Sequence, residues 1–83
     1  MKITVIGSHL CPDTLYALNQ LSARKIDVAF RDLSASLEDL KAYLALRESS
    51  PLYDAVRARG GIGIPCFVRE DGSATLELED ILN

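Results

Sequence analysis

Apolar and polar positions along this 83-residue chain fall into short blocks with two different periods. Lys2 to Ile6 is apolar on both faces of an extended chain, which predicts a central strand. Residues 12–24 carry Leu15, Leu18 and Leu21 at spacings of three, the mark of a helix. Its wetter face would hold Tyr16, Asn19, Gln20 and Arg24. From Ile26 to Arg31 the period returns to two, with Ile26, Val28 and Phe30 alternating against Asp27, Ala29 and Arg31. Ser34 to Ser36 opens a second helix, with Ser36 and Asp39 spaced as in a capping box and Leu37, Leu40 and Leu44 as the apolar stripe. Ser49-Ser50-Pro51 breaks that helix, and Leu52 to Arg59 continues it briefly. After Gly60, Gly61 and Gly63, Ile64 to Val68 reads as a third strand, and Asp71-Gly72 is a hairpin signal. Ala74, Leu76 and Leu78 alternate as a fourth strand, leaving room in Glu79 to Asn83 for one short helix.

The predicted order is βαβαββ with a terminal helical stub. It describes one α/β domain over residues 1–83, a four-stranded mixed sheet flanked by helices. The first two strands should run parallel through a helical crossover, and the hairpin should add an antiparallel pair. Hydrophobic residues make up 48% and charged residues 25%, which is globular rather than disordered composition. A net charge of −3 argues against a broad nucleic-acid surface. No apolar run approaches the roughly 20 residues of a membrane span. Met1-Lys2 leads straight into strand pattern rather than a three-part export signal, so the expected setting is the reducing cytoplasm, and the expected state a monomer.

In such a setting two cysteines are reactive or buried rather than a structural disulfide. Cys11 lies in Gly7-Ser8-His9-Leu10-Cys11-Pro12-Asp13-Thr14, at the junction of first strand and first helix. Backbone N–H groups and the positive end of the helix dipole favour the thiolate there. Pro12 suits the first helical turn, where its missing N–H costs nothing. The alternative for Cys11 is an inert, buried small residue. Cys66, in an apolar strand, is a core-packing residue or a second, resolving thiol. His9 is a cationic neighbour of the thiol or a solvated loop residue. Arg47, Arg57 and Arg59 form an anion site or a solvated helix face. Tyr43 and Tyr53 read as packing residues. Glu70, Asp71, Glu77, Glu79 and Asp80 make the last third acidic, an edge that disfavours anionic partners. Two cysteines and one histidine fall short of a closed zinc site, and no metal is expected. Ile64-Pro65 at the start of a strand would fit a cis peptide bond.

Taken together, Cys11-Pro12-Asp13-Thr14 and Gly63-Ile64-Pro65 resemble the active-site motif and the cis-proline segment of glutaredoxins, within the thioredoxin fold. Three stretches, residues 7–13, 46–52 and 62–68, resemble a small bacterial group called glutaredoxin-related proteins. That resemblance implies a thiol-disulfide oxidoreductase, an electron-transfer protein with Cys11 as nucleophile. Pro65 would pack beside the sulfur, and the backbone of Ile64 would pair with the bound thiol compound. Pro12 and the N–H groups of Asp13 and Thr14 would complete the site. The implied co-substrate is glutathione or another small thiol, and the implied partner a glutathionylated protein. The chain departs from the family at Thr14, where a dithiol motif has its second cysteine, making the motif monothiol. A hydrogen bond from the Thr14 hydroxyl to the Cys11 thiolate would favour ionisation. A lysine of the family is Ser8 here, and its Gly-Gly segment aligns poorly, at Leu76-Glu77. Arg57 and Arg59 would then take the glycyl carboxylate of glutathione. Two alternatives are a non-catalytic thioredoxin-fold binding module and an iron–sulfur cluster carrier.

Overall fold

The computed structural model describes residues 1–83. Its elements are β1 (Lys2–Gly7), α1 (Pro12–Ala23), β2 (Asp27–Asp32), α2 (Leu37–Ser49), a 3-10 turn (Pro51–Tyr53), α3 (Asp54–Ala58), β3 (Cys66–Val68), β4 (Ala74–Thr75) and α4 (Leu78–Leu82). The four strands form one sheet in the order β2-β1-β3-β4. β1 pairs parallel with β2, from Lys2 opposite Asp27 to Gly7 opposite Asp32. β3 runs antiparallel to β1, with Ile6 opposite Cys66, and to β4, with Phe67 opposite Thr75. This α/β arrangement has thioredoxin-like topology, and β1 is central as its two apolar faces require.

Strand alternation divides the interior in two. Ile3 and Val5 of β1 and Phe67 of β3 face α1 and α4, where they meet Ala17, Leu21 and Ile81. Ile6 and Cys66 point the other way, into a second core with Tyr43, Tyr53 and Val56. β3 has only three residues, so packing on its two faces holds it more than its ladder does. Fully burying a side chain of the size of Phe67 is worth about 1.5–3 kcal/mol, against about 0.5–1.5 kcal/mol net for a hydrogen bond.

Both long helices are rotated from the expected stripes. On α1 the buried positions are Thr14, Ala17 and Leu21, while Leu15 is exposed. The helix approaches the strand end closely enough that small residues fit best. A Cβ on Gly7 would stand 2.5 Å from Thr14 Oγ1 and 2.7 Å from Thr14 Cγ2. On α2, Leu37 and Leu44 are exposed, and the buried face is Leu40, Tyr43 and Leu46. The tyrosine wins that face because its ring fills the core while its hydroxyl finds an acceptor. Ser36 caps α2 as expected, accepting from the Asp39 N–H at 3.2 Å. The fourth strand is shorter than its alternation implies. Thr75 Oγ1 accepts from the Glu77 N–H at 3.1 Å and donates to Asp80 Oδ2 at 2.6 Å, turning the chain into α4.

The Gly7–Thr14 contact gives a direct test. Gly7→Ala should lower stability by about 1–3 kcal/mol through overpacking, read as a fall in the urea midpoint at unchanged slope.

Candidate functional site

β1 ends at Gly7, and the chain crosses to α1 through residues 8–11. This crossing is tied to the end of β2. Cys11 N–H donates to Ser8 C=O at 3.0 Å, and Leu33 N–H to Gly7 C=O at 2.9 Å. The Ser8 and Ser34 hydroxyls bond each other. His9 Nδ1 lies 2.7 Å from Asp32 Oδ2, so this histidine is fastened to β2 rather than free or turned to the thiol. Asp32 also accepts from the Ser34 N–H at 3.0 Å and the His9 N–H at 3.4 Å. Its carboxyl sits below the ordinary 3.8: desolvation raises it, and the bonds from Ser34 and His9 lower it by more.

Cys11 is the N-cap residue of α1, half-buried, with extended backbone and a free thiol. The N–H groups of Asp13 and Thr14 in the first turn have no partner within the chain. Thr14 does not serve the sulfur as expected. It is fully buried, and its Oγ1 accepts from the Ser8 N–H at 3.4 Å, against Gly7. Its role is to join strand and helix beneath the thiol.

The Ile64-Pro65 bond is cis, as its place before a strand suggested. Ahead of it, three successive carbonyls are each held by a side chain from α2 or the 3-10 turn. The Arg47 guanidinium donates to Gly61 C=O at 2.8 and 3.3 Å. The Tyr43 hydroxyl donates to Ile62 C=O, and the Tyr53 hydroxyl to Gly63 C=O at 2.8 Å. Burial pushes both phenols up, so they stay protonated donors. Gly63 takes φ +71°, and a Cβ there would stand 2.7 Å from the Tyr53 ring. The next residue, Ile64, has neither backbone N–H nor C=O paired within the chain.

Two surface grooves share the Ile64 side chain. One, about 410 Å³, is lined by Cys11, Leu10, Leu33, Ile62 and Ser34 and carries no charged side chain. The other, about 340 Å³, runs between α1 and α4 and is lined by Pro65, Tyr16, Asp13, Glu77 and Glu79. Cys11, Asp13, Ile64 and Pro65 therefore come together, and Pro12 stands exposed between them at the head of α1.

Three expected site residues lie elsewhere. Arg57 donates to the carbonyls of Arg47 and Ser50 (3.1 Å to the latter) and pairs with Asp54, closing the C-terminal end of α2. Arg59 lies just past α3. Neither is among the residues that line the two grooves. Cys66 is fully buried in the second core beside Tyr53. Burial pushes its thiol up, opposed by the Tyr53 hydroxyl. It packs as a core residue and presents no sulfur at the surface. The carbonyl clamp of Arg47, Tyr43 and Tyr53 escaped sequence reasoning. Its signal was the four-residue spacing of Tyr43 and Arg47 on one helix face, ahead of a Gly-Ile-Gly segment.

Fold and site together define an α/β protein of thioredoxin-like topology, with an N-capping cysteine and a cis-proline on two grooves that share Ile64. The chain is 32% identical over 80 residues to an uncharacterized protein of Haemophilus influenzae, covering 96% of this chain and 93% of that protein. The two belong to one family. No family model matches the chain, and no solved structure matches it. No helix is long and apolar enough to cross a membrane.

The contrast between the two cysteines is measurable. In native protein, iodoacetamide should label Cys11 at least about ten-fold faster than Cys66, with Cys66 reacting only on unfolding; peptide mass spectrometry reads both. Asp32 adds a pH dependence. A depressed folded-state value means its stabilisation is complete above 3.8 and is lost as pH falls through the lower folded value. Asp32→Asn should therefore melt below wild type at pH 7, and the gap should narrow in acid, followed by circular dichroism.

Proposed function

We propose that this protein is a monothiol thiol-disulfide oxidoreductase of glutaredoxin type, acting through Cys11. The observation that carries this reading is the meeting of a half-exposed N-cap cysteine, two unpaired first-turn N–H groups and the unpaired backbone of Ile64 at a cis-proline. Each group has work to do in thiol exchange. The first-turn N–H groups stabilise negative charge on Cys11 Sγ as the thiolate forms and again as it leaves. The Ile64 backbone holds an extended thiol compound in line with the sulfur.

In the reaction, the Cys11 thiolate attacks one sulfur of a mixed disulfide. A bond forms from Cys11 Sγ to that sulfur, the old S–S bond breaks, and its electron pair leaves with the second sulfur as thiolate. With Thr14 where a resolving cysteine would stand and Cys66 sealed in the core, the Cys11 mixed disulfide needs an external thiol to resolve it. A small thiol attacks the sulfur attached to Cys11, Cys11 leaves as thiolate, and the released product is a disulfide. For a glutathionylated protein, glutathione supplies that thiol and leaves as glutathione disulfide. Two free cysteines and this chemistry suit a reducing, cytoplasmic setting.

The test is reduction of a glutathionylated cysteine peptide by glutathione, followed through coupled consumption of the glutathione disulfide formed. Wild type and Cys66→Ser should turn over at similar rates, within about two-fold, and Cys11→Ser should fall to the uncatalysed rate. Activity surviving in Cys11→Ser at the wild-type level would remove this reading.

A further inference from the structure

The two grooves beside Ile64 differ in charge, and that difference selects a substrate. The groove that holds Cys11 is uncharged and mainly apolar, with Leu10 and Ile62 exposed at 73% and 59%. The groove past Pro65 carries Asp13, Glu77 and Glu79 and no basic side chain. None of these three carboxylates takes part in the chain's ion pairs, which are His9–Asp32, Arg31–Asp39 and Arg57–Asp54. No side-chain hydrogen bond neutralises them either; the acidic group engaged nearby is Asp80, which accepts from the Thr75 hydroxyl. Tyr16, 61% exposed, lines the same groove and offers a ring face to a cation.

Building on the thiol-exchange reading, we infer that the preferred substrate is a disulfide on a polypeptide with an apolar residue on one side of its cysteine and a lysine or arginine on the other. The apolar side chain occupies the groove of Leu10, Leu33 and Ile62, and the cation enters the groove of Asp13, Glu77 and Glu79. The stretch between them pairs with the free N–H and C=O of Ile64, which lines both grooves. Three unpaired carboxylates attract a cationic segment and repel an anionic one, raising the encounter rate for the first. The same field works against glutathione, whose two carboxylates outnumber its one amino group, so the acidic groove favours a cationic peptide over glutathione.

The probes are blocked peptides of one length, each with one cysteine held as a mixed disulfide with 5-thio-2-nitrobenzoate. They carry leucine on one side of the cysteine and Lys, Gln or Glu on the other, in both orders. Cys11 Sγ bonds the peptide sulfur, the S–S bond breaks, and its electron pair departs with the coloured thiolate, whose absorbance gives the rate. The better Lys peptide should react about ten-fold faster than its Glu counterpart at low ionic strength. The ratio should shrink to about two-fold in about 0.5 M salt. Glu77→Gln with Glu79→Gln should bring it near unity, whereas Asp27→Asn with Glu38→Gln, equal in net charge but outside the grooves, should preserve it. Equal rates for Lys and Glu peptides in wild type, or an equal loss of preference in both double variants, would overturn the proposal. Cysteamine held as the same mixed disulfide with 5-thio-2-nitrobenzoate, reacting as fast as the Lys peptide, would overturn its polypeptide part. Should no peptide react faster with wild type than with Cys11→Ser, the thiol-exchange reading itself falls, and the specificity falls with it.

Discussion

Three side chains of α2 and the 3-10 turn that grip consecutive carbonyls are the constraint on which the candidate site depends. Arg47, Tyr43 and Tyr53 hold Gly61, Ile62 and Gly63 from below. A loop rich in glycine would otherwise be free to wander, since each residue ordered in it costs about 1–2 kcal/mol of backbone entropy. Charge-assisted and phenolic donors in a partly buried setting offset that cost. The result is a fixed backbone at Ile64 and Pro65, one residue beyond the clamp, while Ile64 keeps its own polar groups unspent.

The other half of the site is fixed by a different device. Gly7 and Thr14 let β1 and α1 come together so closely that the head of the helix is set against the strand end. The loop between them is braced sideways by Asp32 through His9 and Ser34. Cys11, at the head of α1, is thus held from the end of β1, the clamped loop is held from α2 and the 3-10 turn, and β3 joins the two through the Ile6–Cys66 pairing. Cys66 contributes to this geometry as packing. A buried thiol whose ionisation is disfavoured is a stable filler of the second core.

Much of this was legible along the chain. Period-two blocks around Ile3 and Val28, the period of three to four between Pro12 and Ala23, and the Asp71-Gly72 turn gave the elements and their order. The junction Cys11-Pro12 and the pair Ile64-Pro65 marked the candidate site, and the structure places both at grooves that share Ile64. Where the reading slipped, the reason was consistent. Leu15, Leu37 and Leu44 seemed the natural inward residues of their helices, yet the structure buries Thr14, Ala17 and Tyr43 instead. Hydrophobicity ranks side chains one at a time, whereas burial is decided by fit: a close helix–strand approach selects small residues, and a nearby acceptor lets a tyrosine displace a leucine.

The sequence by itself determined the local physics: which segments extend or coil, where a proline can sit, and which cysteine lies at a helix start. These depend on neighbours a few residues away, and the chain carries them everywhere it goes. Only the tertiary structure decided how distant groups were used. It spent Arg47 and Arg57 on carbonyls rather than on an anion, turned the Thr14 hydroxyl to Ser8 rather than to the thiol, tied His9 to Asp32, and gathered Asp13, Glu77 and Glu79 around one groove. Donors and charges have several eligible partners in a sequence, and packing alone determines which of them lies within reach.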